Sequence, residues 1–255
     1  MRCGLQLYSV RGEAERDFAA TIERIGELGL DGVELAGLHG HDPRDVRRLL
    51  DEARLEVVAS FVSLDDVETD AQAAYAAAEA LGTDRIVVGW LPPSRDPAVT
   101  HAYAERLDRA SRAANDAGLR FGFHTHDAEL NEARDGTVLV DLLLAGAPCL
   151  ELELDLGWAW VAGRDPGEVL ERAGERCLAV HVKDFADRDD PSSFTSVGEG
   201  AVPFLDALRG KSWVDWLVAE QDERFVPDEL GAAARSAAAV RDLRDRLQPA
   251  GARSA

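Results

Sequence analysis

Residues 3–36, CGLQLYSVRGEAERDFAATIERIGELGLDGVELA, hold the reading on which the fold turns. Cys3–Val10 is a short apolar run with the length and composition of a buried strand. Around Glu15–Leu28 the apolar side chains Phe18, Ile22, Ile25 and Leu28 recur at helical spacing. Gly29 ends that helix, where a left-handed cap costs glycine little. Gly32–Ala36 is then a second strand. Strand, helix and strand in so short a stretch form a unit whose two strands run parallel.

The alternation continues to the end of the chain. Asp42-Pro43 opens a helix to Arg54, with Asp as cap and Pro in the first turn. Further strands are predicted at Glu56–Phe61, Asp84–Gly89, Arg120–His124, Cys149–Asp155, Cys177–Val182 and Trp213–Ala219. Helices fall at Thr69–Leu81, Asp96–Ala117, Thr137–Ala145, Pro166–Ala173, Val202–Arg209 and Glu229–Leu247. Eight strand–helix units predict an α/β protein, a single (β/α)8 TIM barrel with right-handed crossovers. The barrel spans residues 1–248, and 249–255 read as a frayed tail. A doubly wound open sheet would carry a glycine-rich phosphate turn after an early strand, and Tyr8-Ser9-Val10-Arg11-Gly12 is not one.

Composition narrows the function. Of 255 residues, 46% are hydrophobic, enough for a sizeable core and too many for a disordered chain. Asp plus Glu number 48 against 28 Lys plus Arg, a net charge of −20 that repels nucleic acid and anionic membranes. No basic patch offsets it: Arg44, Arg47 and Arg48 are interleaved with acids and apolar residues. No run approaches the length of a membrane span, and no signal peptide is apparent. Cys3, Cys149 and Cys177 are odd in number and far apart, which suits buried thiols of a cytoplasmic protein better than a disulfide frame or a zinc site. No nucleotide or flavin fingerprint is visible, so no organic cofactor is expected.

In such barrels the active site lies at the C-terminal ends of the strands. The fifth strand ends His124-Thr125-His126-Asp127-Ala128-Glu129, the sixth Glu153-Leu154-Asp155, the seventh His181-Val182-Lys183-Asp184 and the eighth Glu220-Gln221-Asp222. Four consecutive strands thus deliver ionisable groups to one rim, and a lone buried carboxylate is costly. A divalent cation would satisfy them. Glu129, Asp155, His181 and Glu220 offer three carboxylates and one imidazole, a set suited to Mn²⁺, Mg²⁺ or Co²⁺. His126 or Asp127 stand as substitutes for Glu129. Lys183 shares a strand face with His181, where it would bind a substrate oxygen or stabilise an oxyanion. Tyr8, Arg11, His124, His126 and Trp158 are the candidates for contact with substrate.

The chain resembles the sugar phosphate isomerase/epimerase group of xylose isomerase-like barrels, a group similar to ketose 3-epimerases and inosose dehydratases. The resemblance runs from Leu5-Gln6-Leu7-Tyr8 to Glu220-Gln221-Asp222. Its most specific pieces are Phe123-His124-Thr125-His126-Asp127-Ala128-Glu129, Leu154-Asp155-Leu156-Gly157-Trp158, His181-Val182-Lys183-Asp184-Phe185 and Val197-Gly198-Glu199-Gly200. It implies that Glu129, Asp155, His181 and Glu220 hold a divalent metal. Two departures stand out: the usual His-Asn-His is His124-Thr125-His126, and Phe61-Val62 closes the third strand where many relatives carry a histidine.

The resemblance implies an isomerase or epimerase acting on a sugar or keto-sugar, phosphorylated or not. The metal would polarise a carbonyl and stabilise the enediolate left by proton removal. Glu129 and Glu220 are the expected proton-transfer groups, with Lys183 in support. The same enediolate can expel a β-leaving group, so a lyase or dehydratase on inosose-like or 3-keto-sugars is the alternative. A non-catalytic sugar-binding barrel is a second alternative, against which the four-ligand set speaks. A phosphodiesterase of the endonuclease IV branch would need more than six histidines and a basic rim. The expected partner is a small sugar, with no nucleic acid and no membrane, and homodimers are common among similar proteins.

Overall fold

Each short β-branched run becomes a strand, and eight of them close into a parallel ring. The computed structural model describes residues 1–133 and 136–248. The ring comprises β1 (Arg2–Gln6), β2 (Gly32–Leu35), β3 (Glu56–Val62), β4 (Arg85–Val88), β5 (Arg120–His124), β6 (Glu151–Asp155), β7 (Cys177–Phe185) and β9 (Trp216–Glu220). β8 (Phe194–Thr195) is a two-residue strand antiparallel to the end of β7, outside the ring. Neighbours run β6-β5-β4-β3-β2-β1-β9-β7, and pairing of β6 with β7 closes the barrel. The tail read at 249–255 lies outside the described residues. No described helix is long and apolar enough to cross a membrane.

Helix starts follow local chemistry. At Asp42-Pro43, Asp96-Pro97 and Asp165-Pro166 the carboxylate accepts a hydrogen bond from the backbone N–H of Arg44, Ala98 or Gly167. Proline has no N–H to leave unsatisfied at that position. The first apolar run is divided differently from its expected extent. The strand stops at Gln6, whose side-chain oxygen accepts from the Tyr8 N–H and turns Leu7–Val10 into a 3-10 helix. The helix expected at Glu15–Leu28 is broken at Asp17, which is extended and caps a second segment, Phe18–Gly26. The helix expected from Thr69 begins at Leu64 under a Ser63 cap and is interrupted at Asp70.

Inside the ring, Trp216 fills the lower end, fully buried, with the Arg2 guanidinium 4.1 Å from its ring. A Cβ on Gly32 would lie 3.0 Å from the indole and 2.6 Å from the Glu56 carbonyl oxygen, so glycine alone fits there. Val58, Val87, Leu178 and Val218 pack above the indole. Between Val33↔Val57 and Leu35↔Ser60, β3 carries one residue more than β2, a bulge. Bulges re-aim the side chains that follow, and here Phe61 packs against the inner cluster. Its ring lies 5.8 Å from that of His124 and 6.4 Å from that of His181.

Gly89, just past β4, makes room for Phe61: an added Cβ would meet the ring at 2.3 Å and 2.6 Å. Gly89→Ala is therefore expected to destabilise the fold by about 1–3 kcal/mol, read as a lower urea midpoint. Phe61→Leu in the same background should recover part of that loss. Independent, additive effects of the two changes would refute the contact.

Candidate metal centre and substrate cavity

Strand register brings the polar residues together. Asp155 pairs with His181 across β6 and β7, and His124 with Glu153 across β5 and β6. Lys183 pairs with Glu220 across β7 and β9, and Gln6 with Glu34 across β1 and β2. Alternate residues of a strand share a face, so Glu153 and Asp155 point the same way, as do His181 and Lys183.

His124, Asp155, His181 and Glu220 are all buried, and their ligand atoms lie within 4.8 Å of one another. Asp155 Oδ1 accepts from the Trp158 N–H at 2.8 Å, capping the helix Leu156–Val161. Asp155 Oδ2 is buried and accepts no hydrogen bond from a described residue. Its nearest side-chain nitrogens are Lys183 Nζ at 3.4 Å and His124 Nε2 at 3.9 Å. The Asp155 N–H donates to Thr125 Oγ1 at 3.2 Å, which gives the threonine of His124-Thr125-His126 a structural role.

Each imidazole is held by its far nitrogen. His124 Nδ1 lies 3.0 Å from Glu153 Oε2. His181 Nε2 lies 2.7 Å from Glu34 Oε2 and 3.1 Å from Glu153 Oε2. Carboxylates behind histidines fix the tautomer and ring orientation in metal sites. The nitrogens left facing the cluster are His124 Nε2 and His181 Nδ1, the latter 2.8 Å from Glu220 Oε2. Gln6 Nε2 donates to Glu34 Oε2 at 2.7 Å and completes the support.

Burial and neighbours set the charges. Burial, with Glu153 alongside, pushes the Glu34 carboxyl well above its usual range. Burial also acts to raise Glu153, but His181 and His124 outweigh it and hold Glu153 ionised. For His181, burial disfavours the imidazolium, and Glu153, Glu34 and Glu220 more than reverse that. Burial likewise opposes the charge on Lys183, but Glu220, Asp222 and Asp155 keep it an ammonium. Nζ sits 2.9 Å from Glu220 Oε2 and 3.0 Å from Asp222 Oδ2. Burial raises Asp222 to about 6 and lowers His126 to about 2, so His126 is neutral.

The structure brings Asp155, His181 and Glu220 together and adds His124, which the sequence reading took for a substrate contact. It does not bring Glu129 to them. The chain turns helical at Asp127–Leu130, and the Glu129 carboxylate folds back to accept the His126 N–H at 2.8 Å. There it lies beside Phe123, Leu91, Leu139 and Leu143, away from the cluster. Glu34 and Glu153 were visible only as acids within apolar strands. Their signal was a carboxylate at an inward position of a barrel strand.

Above the cluster opens a cavity of about 1040 Å³, lined in part by Tyr8, Arg11, His124, His126, Lys183 and Glu220. Arg11 stacks on Tyr8 at 4.2 Å and donates to the carbonyl oxygens of Tyr8 and Asp222. Trp158 stands behind this lining, 5.4 Å from Lys183 Nζ and packed on Phe185 and Phe194.

A closed eight-stranded parallel barrel with a buried His/Asp/Glu quartet at its C-terminal rim is the class that fold and site define. Residues 22–244 match the model of the xylose isomerase-like TIM barrel family, and the chain belongs to that family. No curated protein matches it by sequence. Among solved structures, a sugar phosphate isomerase/epimerase from Parabacteroides distasonis is similar at TM-score 0.80 and 18% identity, over 93% of this chain and 97% of that one. The IOLI protein with a zinc atom is similar at TM-score 0.78 and 13% identity, over 97% and 99%. The probable 3-DHS dehydratase AsbF of Bacillus anthracis is similar at TM-score 0.72 and 15% identity, over 92% and 97%. At these identities the likeness is one of fold.

Burial raises the Glu129 carboxyl from 4.5 to about 7. Its folded value exceeds its unfolded one, so its stabilising contribution is complete below about 4.5 and lost as pH rises through about 7. Glu129→Gln keeps an acceptor for the His126 N–H and removes that titration. Urea unfolding at pH 5 and pH 8 should show the wild type losing on the order of 1–3 kcal/mol more than the variant. An equal pH dependence in both proteins would contradict this placement.

Proposed function

We propose that this chain is a divalent-metal-dependent isomerase or epimerase that removes a carbon-bound proton beside the carbonyl of a sugar or keto-sugar and returns it to the adjacent carbon or to the opposite face of the same carbon. The observation that carries the reading is the unsatisfied Asp155 Oδ2 among two imidazoles with carboxylate-held far nitrogens and the Glu220 carboxylate. Such a donor set fits Mn²⁺, Mg²⁺, Co²⁺ or Zn²⁺. The ligands we assign are His124, Asp155, His181 and Glu220, with His124 in the place that Glu129 held in the sequence reading. A cation held by these four residues would supply Lewis-acid polarisation of a substrate carbonyl and positive charge against the oxyanion formed on proton removal.

The chain's own residues supply the rest. Lys183 and His181 hold Glu220 well below the usual carboxylate range against the effect of burial, so it is ionised and available to accept the carbon-bound proton. Lys183 offers a fixed ammonium to the developing oxyanion. Neutral His126 presents a ring to a substrate hydroxyl. Isomerase/epimerase and dehydratase neighbours both support enolising chemistry on a sugar-like substrate. The three cysteines are unpaired thiols, with Cys3 and Cys177 buried, which supports a cytoplasmic setting.

After Mn²⁺ loading and desalting, elemental analysis should find about one metal per chain. Asp155→Ala and His124→Ala should lose it while Glu129→Gln retains it. Equal metal content in Asp155→Ala and wild type would overturn the site. Incubated with keto-sugars in D₂O, the wild type should exchange a carbon-bound proton with product mass otherwise conserved. Glu220→Gln should slow that exchange roughly 10²–10⁴-fold. Loss of water from the product would assign the dehydratase reaction instead.

A further inference from the structure

This inference rests on the reading of the cavity as a sugar site and concerns what that site accepts. Barrels of this architecture commonly hold a substrate phosphate on the loops after the seventh and eighth strands, with the N-terminus of a short extra helix. The loop after β7 has the required converging N–H groups, but they are already used. The Asp184 carboxylate, 1% exposed, accepts from Phe185 N at 3.0 Å, Val202 N at 3.2 Å, Gly198 N at 2.9 Å and Gly200 N at 3.0 Å. A Cβ on Gly200 would lie 2.3 Å from that carboxylate, so the loop is closed around it. These N–H groups are therefore filled from within the chain and are not free to hold a phosphate.

Among the described residues, the cavity wall offers no cation beyond those its own groups already hold. Its described cationic side chains are Arg11, held by two carbonyl oxygens, and Lys183, which pairs with Glu220 and Asp222 and is committed to the oxyanion of the sugar itself. Against them the wall presents Asp66, Asp70, Glu220, Asp222 and Glu223. A phosphate dianion brought here would meet repulsion from several carboxylates.

The same wall is built for apolar ring faces. Trp90 is 60% exposed and Tyr8 44% exposed, and both line the cavity. Large rings left half in water beside a concave site present flat surfaces on which other rings stack. At about 1040 Å³ the space exceeds what one sugar ring fills and lies at the upper end of small-molecule sites, roughly 300–1,000 Å³.

We infer that the substrate is an unphosphorylated sugar joined to a second ring, either an aryl group or another sugar, and that the second ring stacks on Trp90. Isothermal titration calorimetry on the Mn²⁺-loaded chain tests this with four probes: D-fructose, D-fructose 6-phosphate, phenyl β-D-glucoside and cellobiose. At least one two-ring probe should bind tenfold or more tighter than D-fructose, and the phosphate should give no gain over D-fructose. The stronger of the two-ring probes identifies the ring as aryl or sugar. Trp90→Ala should bring the two-ring probes down to the affinity of D-fructose. Tighter binding of D-fructose 6-phosphate than of D-fructose, with proton exchange in D₂O intact, overturns this inference alone. Unchanged two-ring affinity in Trp90→Ala also overturns it. Absence of both sugar binding and proton exchange overturns the sugar-site reading on which it stands.

Discussion

Glu153 is the residue on which the centre depends. One buried carboxylate holds the far nitrogen of His124 at 3.0 Å and lies 3.1 Å from the far nitrogen of His181. Both imidazoles are thereby rotated to present their other nitrogen to the same small volume. Neither ring has another described group that would set its orientation from behind, apart from Glu34 on His181. Replacing Glu153 by an apolar residue would leave the buried His124 imidazole free to choose tautomer and rotamer and His181 held from behind by Glu34 alone, which is the disorder a metal site must avoid. The barrel makes the arrangement available because β5, β6 and β7 are hydrogen-bonded neighbours with His124 opposite Glu153 and Asp155 opposite His181.

That geometry carries an electrostatic cost. Glu34, Glu153, Asp155 and Glu220 share the upper interior of one barrel, all buried. Removing one partner from a buried charge network is far more destabilising than the network's net contribution to stability. Two features keep the balance in the described structure. Lys183 reaches Glu220, Asp222 and Asp155 from the adjacent strand, and His181 lies among three carboxylates. Asp155 Oδ2 still lacks a hydrogen bond, so the balance is incomplete where the proposed cation would sit.

The third strand shows how a backbone irregularity shapes chemistry. One extra residue in β3 places Phe61 over the two imidazoles, where it contributes a hydrophobic wall and no ligand. Gly89, just past the next strand, leaves the space for it. The missing third-strand histidine of the sequence is therefore a filled position, and the wall it forms is continuous with the aromatic side of the cavity.

Several features were legible in residues alone because they depend on local chemistry. The strand–helix period, the Asp42-Pro43 helix start and the arrival of Asp155, His181, Lys183 and Glu220 at one rim need only the two periodicities of side chains, local capping chemistry and the direction of a parallel barrel. Which carboxylates and imidazoles meet was not legible, because it depends on strand register, bulges and the course of the chain after a strand ends. Glu129 ends the most specific motif of the sequence, yet one helical turn after β5 directs it back to the His126 N–H. His124, still within the strand, keeps its inward position by the period-two rule and enters the quartet in its place. Glu34 lies in the sequence as a single acid within an apolar run and Glu153 in an alternation of acids with leucines, and only barrel closure puts them 2.7 Å and 3.1 Å from one histidine nitrogen. The sequence by itself determined the barrel and the rim that carries the site. The tertiary structure decided the composition of the site, because hydrogen-bonding distance between residues on different strands is set by register and closure.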